Sequence, residues 1–254
     1  MSAPVALVTG ASSGIGAAIA RRLGAEGYRV LLVARRLERL EALAAELPDA
    51  EAIALDLLAD DAAARLLERV PSVDVLINNA GFGCFGPALE LPAADQAREV
   101  RLNCEALTRL TLAYAPGMVQ RQRGVVINLA SIAGFQPVPY FATYAATKAY
   151  VLSLSLALDE ELRPSGVRVV AVCPGPVPTE FQAIAGSPDA QHTSRLARRT
   201  ADEVAARCVA AIRRPKRVVV PAAVHGWLRF AYRFVPQDTV VGMAGRAMRK
   251  RFAR

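Results

Sequence analysis

The chain has 254 residues, of which 53% are apolar and 21% charged. That balance excludes a disordered tract and suits one large α/β domain with its own core. The formal charge of +8 is unevenly placed: residues 195–254 hold 15 Lys and Arg against 3 Asp and Glu, whereas residues 1–194 hold 16 against 20.

Short apolar runs alternate with longer helical ones. Residues 5–8 read as a strand, 17–26 as a helix, 29–34 as a strand, 37–47 as a helix, 51–56 as a strand, 62–70 as a helix and 74–77 as a strand. A long helical stretch covers 93–118, then a strand 124–129, a helix 144–163 and a strand 167–172. Residues 174–200 have no clear periodicity and are rich in Pro, Gly, Ser and Thr, the profile of an active-site lid. A helix at 201–213, a strand at 217–220 and an apolar, basic tail complete the order. The strands are continuous apolar runs, as expected where helices cover both sheet faces. The expected fold is therefore an α/β, doubly wound parallel sheet of the Rossmann type. The expected organisation is one domain over 1–254, with a core at 1–220 and an extension at 221–254.

No segment has the ~18 uninterrupted apolar residues of a membrane span. The first strand runs straight into a glycine loop rather than following a leader, so a cytoplasmic location is expected. Cys84, Cys104, Cys173 and Cys208 lack metal spacing and read as reduced thiols. With only His192 and His225, no metal site and no histidine-based triad is expected.

Thr9-Gly10-Ala11-Ser12-Ser13-Gly14-Ile15-Gly16 lies between the first strand and the first helix. Glycines permit the turn and the close approach of a pyrophosphate, and the helix start offers free N–H groups to phosphate. The spacing is G-x-x-x-G-x-G rather than the common G-x-G-x-x-G. It resembles the loop of the short-chain dehydrogenase/reductase family. About twenty residues on, a carboxylate would bond a ribose diol. Here Arg35 and Arg36 stand instead, and guanidiniums suit a 2′-phosphate, so NADP(H) is favoured over NAD(H). The resemblance implies that Asp56, with Leu57 at the end of the third strand, contacts adenine; a helix N-cap explains Asp56 equally well. Asn78-Asn79-Ala80-Gly81 matches the family's NNAG motif, which closes one side of the cofactor cleft. Pro174-Gly175-Pro176-Val177-Pro178-Thr179 resembles its PG motif, whose backbone and threonine meet the nicotinamide.

Tyr144 and Lys148 stand four apart and share a helix face. A nearby ammonium lowers a phenol's pKa, so the pair can give or take a proton at an alcohol oxygen. The companions that the family implies are present. Ser131 would hydrogen-bond the substrate oxygen, and Asn103 would hold a water that relays protons to Lys148. Tyr144 and Lys148 also belong to the implied cofactor site, where Lys148 holds the nicotinamide ribose. The implied activity is hydride exchange between NADP(H) and a carbonyl or secondary alcohol.

Phe82, Phe85, Ile132, Phe135, Phe141 and Phe181 flank these motifs and would line an apolar pocket. A lipophilic ketone or 3-oxoacyl substrate fits that lining. A small hydroxy compound is the alternative, and a non-catalytic NADP(H) sensor is the reading of another class. The family implies a homo-oligomer, dimer or tetramer, through the 93–118 and 144–163 helices. Three readings of the tail stay open. One is packing over the active site or a subunit interface, with Trp227, Leu228, Phe230, Ala231, Phe234 and Val235 as one helix face. Another is weak peripheral contact with an anionic membrane, and the third is recognition of an anionic substrate such as an acyl-CoA. No nucleic-acid motif accompanies the charge, so no nucleic-acid partner is expected.

Overall fold

A computed structural model describes residues 3–186, 198–231 and 234–252 of the chain. Seven parallel strands form one sheet in the order β3-β2-β1-β4-β5-β6-β7. They are β1 (Val5–Thr9), β2 (Arg29–Ala34), β3 (Ala50–Ala54), β4 (Val75–Asn78), β5 (Gly124–Leu129), β6 (Val167–Val172) and β7 (Val218–Val219). The order reverses between β1 and β4, which opens a crevice at the carboxyl ends of the strands.

Strand side chains alternate between two cores because their period is two. On one face Val8, Leu32, Ile77 and Val170 pack with α1 (Gly14–Ala25), α2 (Leu37–Ala45) and α8 (Ala201–Arg213). On the other Leu7, Leu31, Leu76 and Val169 pack with α3 (Ala62–Arg69) and α5 (Leu107–Gln120). A buried amide network fixes the sheet's centre. Asn78 Nδ2 donates to Thr111 Oγ1 at 3.0 Å and to Asn128 Oδ1 at 2.9 Å, and Asn128 Nδ2 donates to Ser155 Oγ at 2.9 Å.

The predicted 93–118 helix departs most from expectation. It is three pieces: α4 (Ala93–Val100), a π-helical turn (Arg101–Ala106) and α5, which carries Pro116 inside it. The wider π turn holds Asn103, and such bulges recur at functional sites. The helix carrying the Tyr-Lys pair, α6 (Ala142–Leu162), starts two residues earlier than predicted.

In the loose 174–200 stretch, Thr179 and Gln182 form a capping box that starts α7 (Glu180–Ala185). The rest of the proposed lid, 187–197, lies outside the described residues, and His192 with it. The tail forms α9 (Ala223–Ala231) and α10 (Gln237–Phe252). The expected single apolar face is not formed at its described positions. Phe230 and Phe234 are 55% and 73% exposed and meet edge to face at 5.1 Å. The side chains of Trp227, Leu228 and Ala231 lie outside the described set. Among the described residues no helix is long and apolar enough to cross a membrane.

Candidate active site

One cavity of about 890 Å³ follows the carboxyl ends of the strands. It takes in every predicted cofactor-binding residue except Gly16, and every predicted aromatic of the substrate pocket. Ser131, Tyr144 and Lys148 line it, whereas Asn103 lies behind its wall.

The glycine loop is shaped for close approach. Gly10 and Gly14 have φ of +65° and +57°, left-handed values that suit glycine. A Cβ at Gly10 would fall 2.8 Å from Asn79 Nδ2, and one at Gly14 would fall 3.2 Å from Thr179 Cγ2. Gly16 serves the cradle from behind rather than facing the cavity. Its Cβ would strike the Gly10 carbonyl oxygen and come within 2.5 Å of Asn79 Nδ2. Asn79 rivets the loop, since its Nδ2 donates to the carbonyls of Thr9 (2.9 Å) and Gly10 (3.2 Å). The Thr9 hydroxyl in turn accepts the backbone N–H groups of Asn79 and Ala80, both at 3.0 Å. No side chain caps the start of α1, so its N–H groups face the cradle ready for an anion.

Arg36 closes the loop's open side. Its guanidinium donates to Ser12 Oγ and Ser13 Oγ, each at 3.0 Å, and pairs with Glu180 at 3.0 Å. Arg39 holds the other Glu180 oxygen at 2.6 Å, and these two arginines hold that carboxyl below the usual carboxylate range. Arg35 is exposed and lines the cavity. Asp56 does not cap a helix: its Oδ1 accepts from Leu58 N at 3.0 Å in a tight turn, while Asp61 stands at the α3 N-cap. Cradle, free helix start and paired arginines fit a dinucleotide carrying a 2′-phosphate.

At the inner end, Tyr144 stacks on Phe141 at 4.2 Å and leans on Phe181 at 5.3 Å. Burial among these rings pushes the phenol's pKa up, and a hydrogen bond with Ser131 partly opposes it. The expected lowering by Lys148 is therefore not what sets this phenol. The ammonium lies 5.6 Å from the ring centroid and donates to the Leu129 carbonyl at 2.8 Å. Burial pulls Lys148 down to about 8. Ser131 caps the turn Ile132–Phe135, its Oγ accepting from Ala133 N at 3.1 Å.

Asn103 uses its side chain as a clamp. Nδ2 donates to the Phe82 carbonyl (2.8 Å) and to Thr147 Oγ1 (3.1 Å), and Oδ1 accepts from Phe82 N (3.2 Å). The amide is thereby engaged at three points, so a relay water would rely on its remaining lone pair or on backbone carbonyls. Gly81 passes so close that a Cβ would lie 2.8 Å from Asn103 Oδ1 and 3.6 Å from Lys148 Nζ.

Several residues that shape the site were not singled out from sequence. Gly134 lets the Ile132–Phe135 turn press on α6, where a Cβ would fall 2.6 Å from the Lys148 carbonyl. From the tail, His225, Ala244, Ala247 and Met248 reach the cavity. The described tail thus adds to the cavity wall, through residues other than the apolar face expected of it. Only a helix-period contact with the distant Ser131 turn would have signalled this, and a sequence does not display such contacts.

Comparison with known proteins agrees with this geometry. The model of the short chain dehydrogenase family matches residues 4–189. A serine 3-dehydrogenase of Agrobacterium fabrum is 40% identical over 184 residues, covering 70% of this chain and 74% of that protein. A very-long-chain 3-oxoacyl-CoA reductase of Pyrenophora tritici-repentis is 39% identical over 181 residues, 66% of this chain but only 53% of that longer protein. A short-chain dehydrogenase from Sphingobium yanoikuyae, solved in complex with NADPH, superposes with a TM-score of 0.81 at 36% identity, over 92% of this chain and 97% of that one. On fold, site and sequence together, the chain belongs to the short-chain dehydrogenase/reductase family of oxidoreductases.

Proposed function

We propose that the protein moves hydride between NADP(H) and a carbonyl or secondary alcohol, on a lipophilic ketone or 3-oxoacyl type of substrate. The observation that carries this reading is the convergence of Ser131, Tyr144 and Lys148 in a cavity that Phe82, Phe85, Phe141 and Phe181 also line. The bound cofactor supplies or accepts the hydride.

The chain's own groups do the rest. Ser131 and the Tyr144 hydroxyl donate hydrogen bonds to the substrate oxygen as negative charge develops on it. Tyr144 passes its proton to that oxygen in reduction and takes it back in oxidation. Lys148 holds the nicotinamide ribose and supplies positive charge beside the phenol. Asn103 fixes the Gly81–Phe82 backbone over that lysine. Arg36, with Arg35 beside it, takes the 2′-phosphate. His225, Ala244, Ala247 and Met248 of the extension form part of the substrate wall of a single domain. The partners in this reading are a small-molecule substrate and further copies of the chain.

A second reading is oxidation of a small hydroxy compound, which has the serine 3-dehydrogenase relative in its favour. The test is NADPH and NADH oxidation against carbonyls running from small aldehydes to 3-oxoacyl thioesters. Turnover with NADPH on the larger substrates is expected, and Tyr144→Phe should lower it roughly 10³-fold while leaving NADPH affinity unchanged. Full turnover in that variant would remove Tyr144 from the chemistry. NADPH binding with no turnover on any carbonyl would favour a sensor.

A further inference from the structure

Glu99, on the last turn of α4, is completely buried, the one carboxylate besides Asp159 with no exposed surface among the described residues. Asp159 is explained by its ion pairs with Arg168 and Arg217. Glu99 forms no ion pair among the described residues; its Oε2 accepts from Cys84 N at 3.1 Å, and its Oε1 has no partner. An isolated buried carboxylate is costly, so a group of this kind needs a reason to be there.

Its position supplies one. The 81–86 segment is tied down at successive peptides. Asn103 holds both backbone groups of Phe82, Glu99 holds Cys84, the Ala185 carbonyl takes Phe85 N at 2.8 Å, and the Tyr140 carbonyl takes Gly86 N at 2.8 Å. Between the Asn103 and Glu99 tethers lies Gly83. It packs so tightly on the reactive pair's surroundings that a Cβ would fall 2.8 Å from both Tyr144 Cδ2 and Phe141 Cε2. Glu99 and Asn103 therefore hold the two sides of one glycine that backs the Tyr144 ring.

Glu99 is also within electrostatic reach of the catalytic groups. The ionisable groups facing it are Cys84 from the loop after β4, Cys104 from the π turn, and Tyr144 and Lys148 from α6. Asp95 and Arg98, on its own helix, act on the same Cys84 thiol. Burial raises Glu99 to about 7, with Cys84 and Lys148 opposing. Once ionised, its charge raises both Tyr144 and Lys148.

We propose that Glu99 is a positioning residue for the Tyr144–Lys148 pair, seating the 81–86 loop against the Tyr144 ring and setting, by its own charge, the pH at which the pair exchanges protons. The proposal rests on the reading of that pair as the proton-transfer groups. The sign follows from the charge. At low pH Glu99 is neutral and does not act on the pair. As pH rises through neutrality it becomes negative, disfavours the phenolate of Tyr144 and favours the ammonium of Lys148. Both groups then keep their protons to higher pH than they would beside a neutral neighbour.

The test is Glu99→Gln, which keeps an oxygen for the Cys84 N–H but cannot ionise. Two quantities are measured against wild type: the pH dependence of kcat/KM for carbonyl reduction with NADPH, and the ionisation of Tyr144. The second is read from ultraviolet absorbance after subtracting the same protein carrying Tyr144→Phe. Both midpoints should move down by about half a unit or more in Glu99→Gln. Glu99→Met, which fills the apolar site but drops the tether, should give the same displacement and a lower kcat. It decides the point if the glutamine variant folds poorly. Unmoved midpoints in folded variants that bind NADPH overturn the proposal. A Tyr144 midpoint that moves in a protein turning over no carbonyl supports the coupling and counts against the catalytic reading instead.

Discussion

At the end of the cavity bounded by Gly10, Ser12 and Arg36, the walls are turns at strand ends, each a short local stretch of chain. At the end bounded by Phe85, Ile184, His225 and Met248, the walls come from four segments spread over more than half the sequence. The first end works through backbone: free N–H groups, left-handed glycines and carbonyls held by Asn79. The second works through side-chain bulk. A backbone site tolerates almost no added atom, whereas a side-chain wall can be resized, so the two ends should answer differently to mutation.

The largest contrast is expected at Gly16. An alanine methyl would collide with the Gly10 carbonyl, which has no free space to retreat into because Asn79 holds it. Gly16→Ala should weaken NADPH binding by roughly 100-fold or more, or cost the fold several kcal/mol, as close-approach glycines do. Titration calorimetry with a thermal melt separates the two; near-normal affinity and stability would show the loop to be soft. Arg36→Ala comes next. Losing charge-assisted bonds worth about 1.5–3 kcal/mol should weaken NADPH roughly 10- to 100-fold and leave NADH nearly untouched. Equal loss for both cofactors would assign Arg36 to holding Ser12 and Ser13 instead. The smallest effect is expected at the far wall. Met248→Ala enlarges the cavity without a backbone clash, and should change kcat/KM for long apolar ketones by about tenfold at most while sparing small carbonyls. A uniform loss over the whole series would mean that α10 supports the site rather than sizing it.

The same division decides what could be read in the sequence. The glycine loop, Arg35–Arg36 and the Tyr144–Lys148 pair are local patterns, each within a turn or one helical face, and their context between strand and helix was visible. The parallel sheet was legible because both faces are covered and the strands are continuous apolar runs. The π turn was not, since the 93–118 stretch keeps an ordinary helical period and only the i→i+5 bonding around Asn103 widens it. Glu99 carries no sequence pattern that sets it apart. Its burial comes from the Cys84 loop and α6, fifteen residues before it in the chain for Cys84 and further after it for the helix. The state of Tyr144 was also misjudged. The lysine partner was visible, but the Phe141 and Phe181 rings that strip water from the phenol were assembled only by the fold.

The Glu180 carboxylate joins the two ends that otherwise differ so much. It begins α7, whose Phe181 and Ile184 face the substrate side, yet it neutralises Arg36 and Arg39 on the cofactor side. The protein thus carries its own counter-ion at the place where a phosphate would bind. An arriving phosphate competes with that internal anion, and what is measured as affinity is the difference between them. By reciprocity, whatever free energy the exchange costs is also felt at the start of α7. The exposed pairing makes this linkage modest and responsive to ionic strength. Added salt should therefore weaken the incoming and the resident anion together, leaving cofactor affinity less salt-dependent than two facing arginines alone would make it.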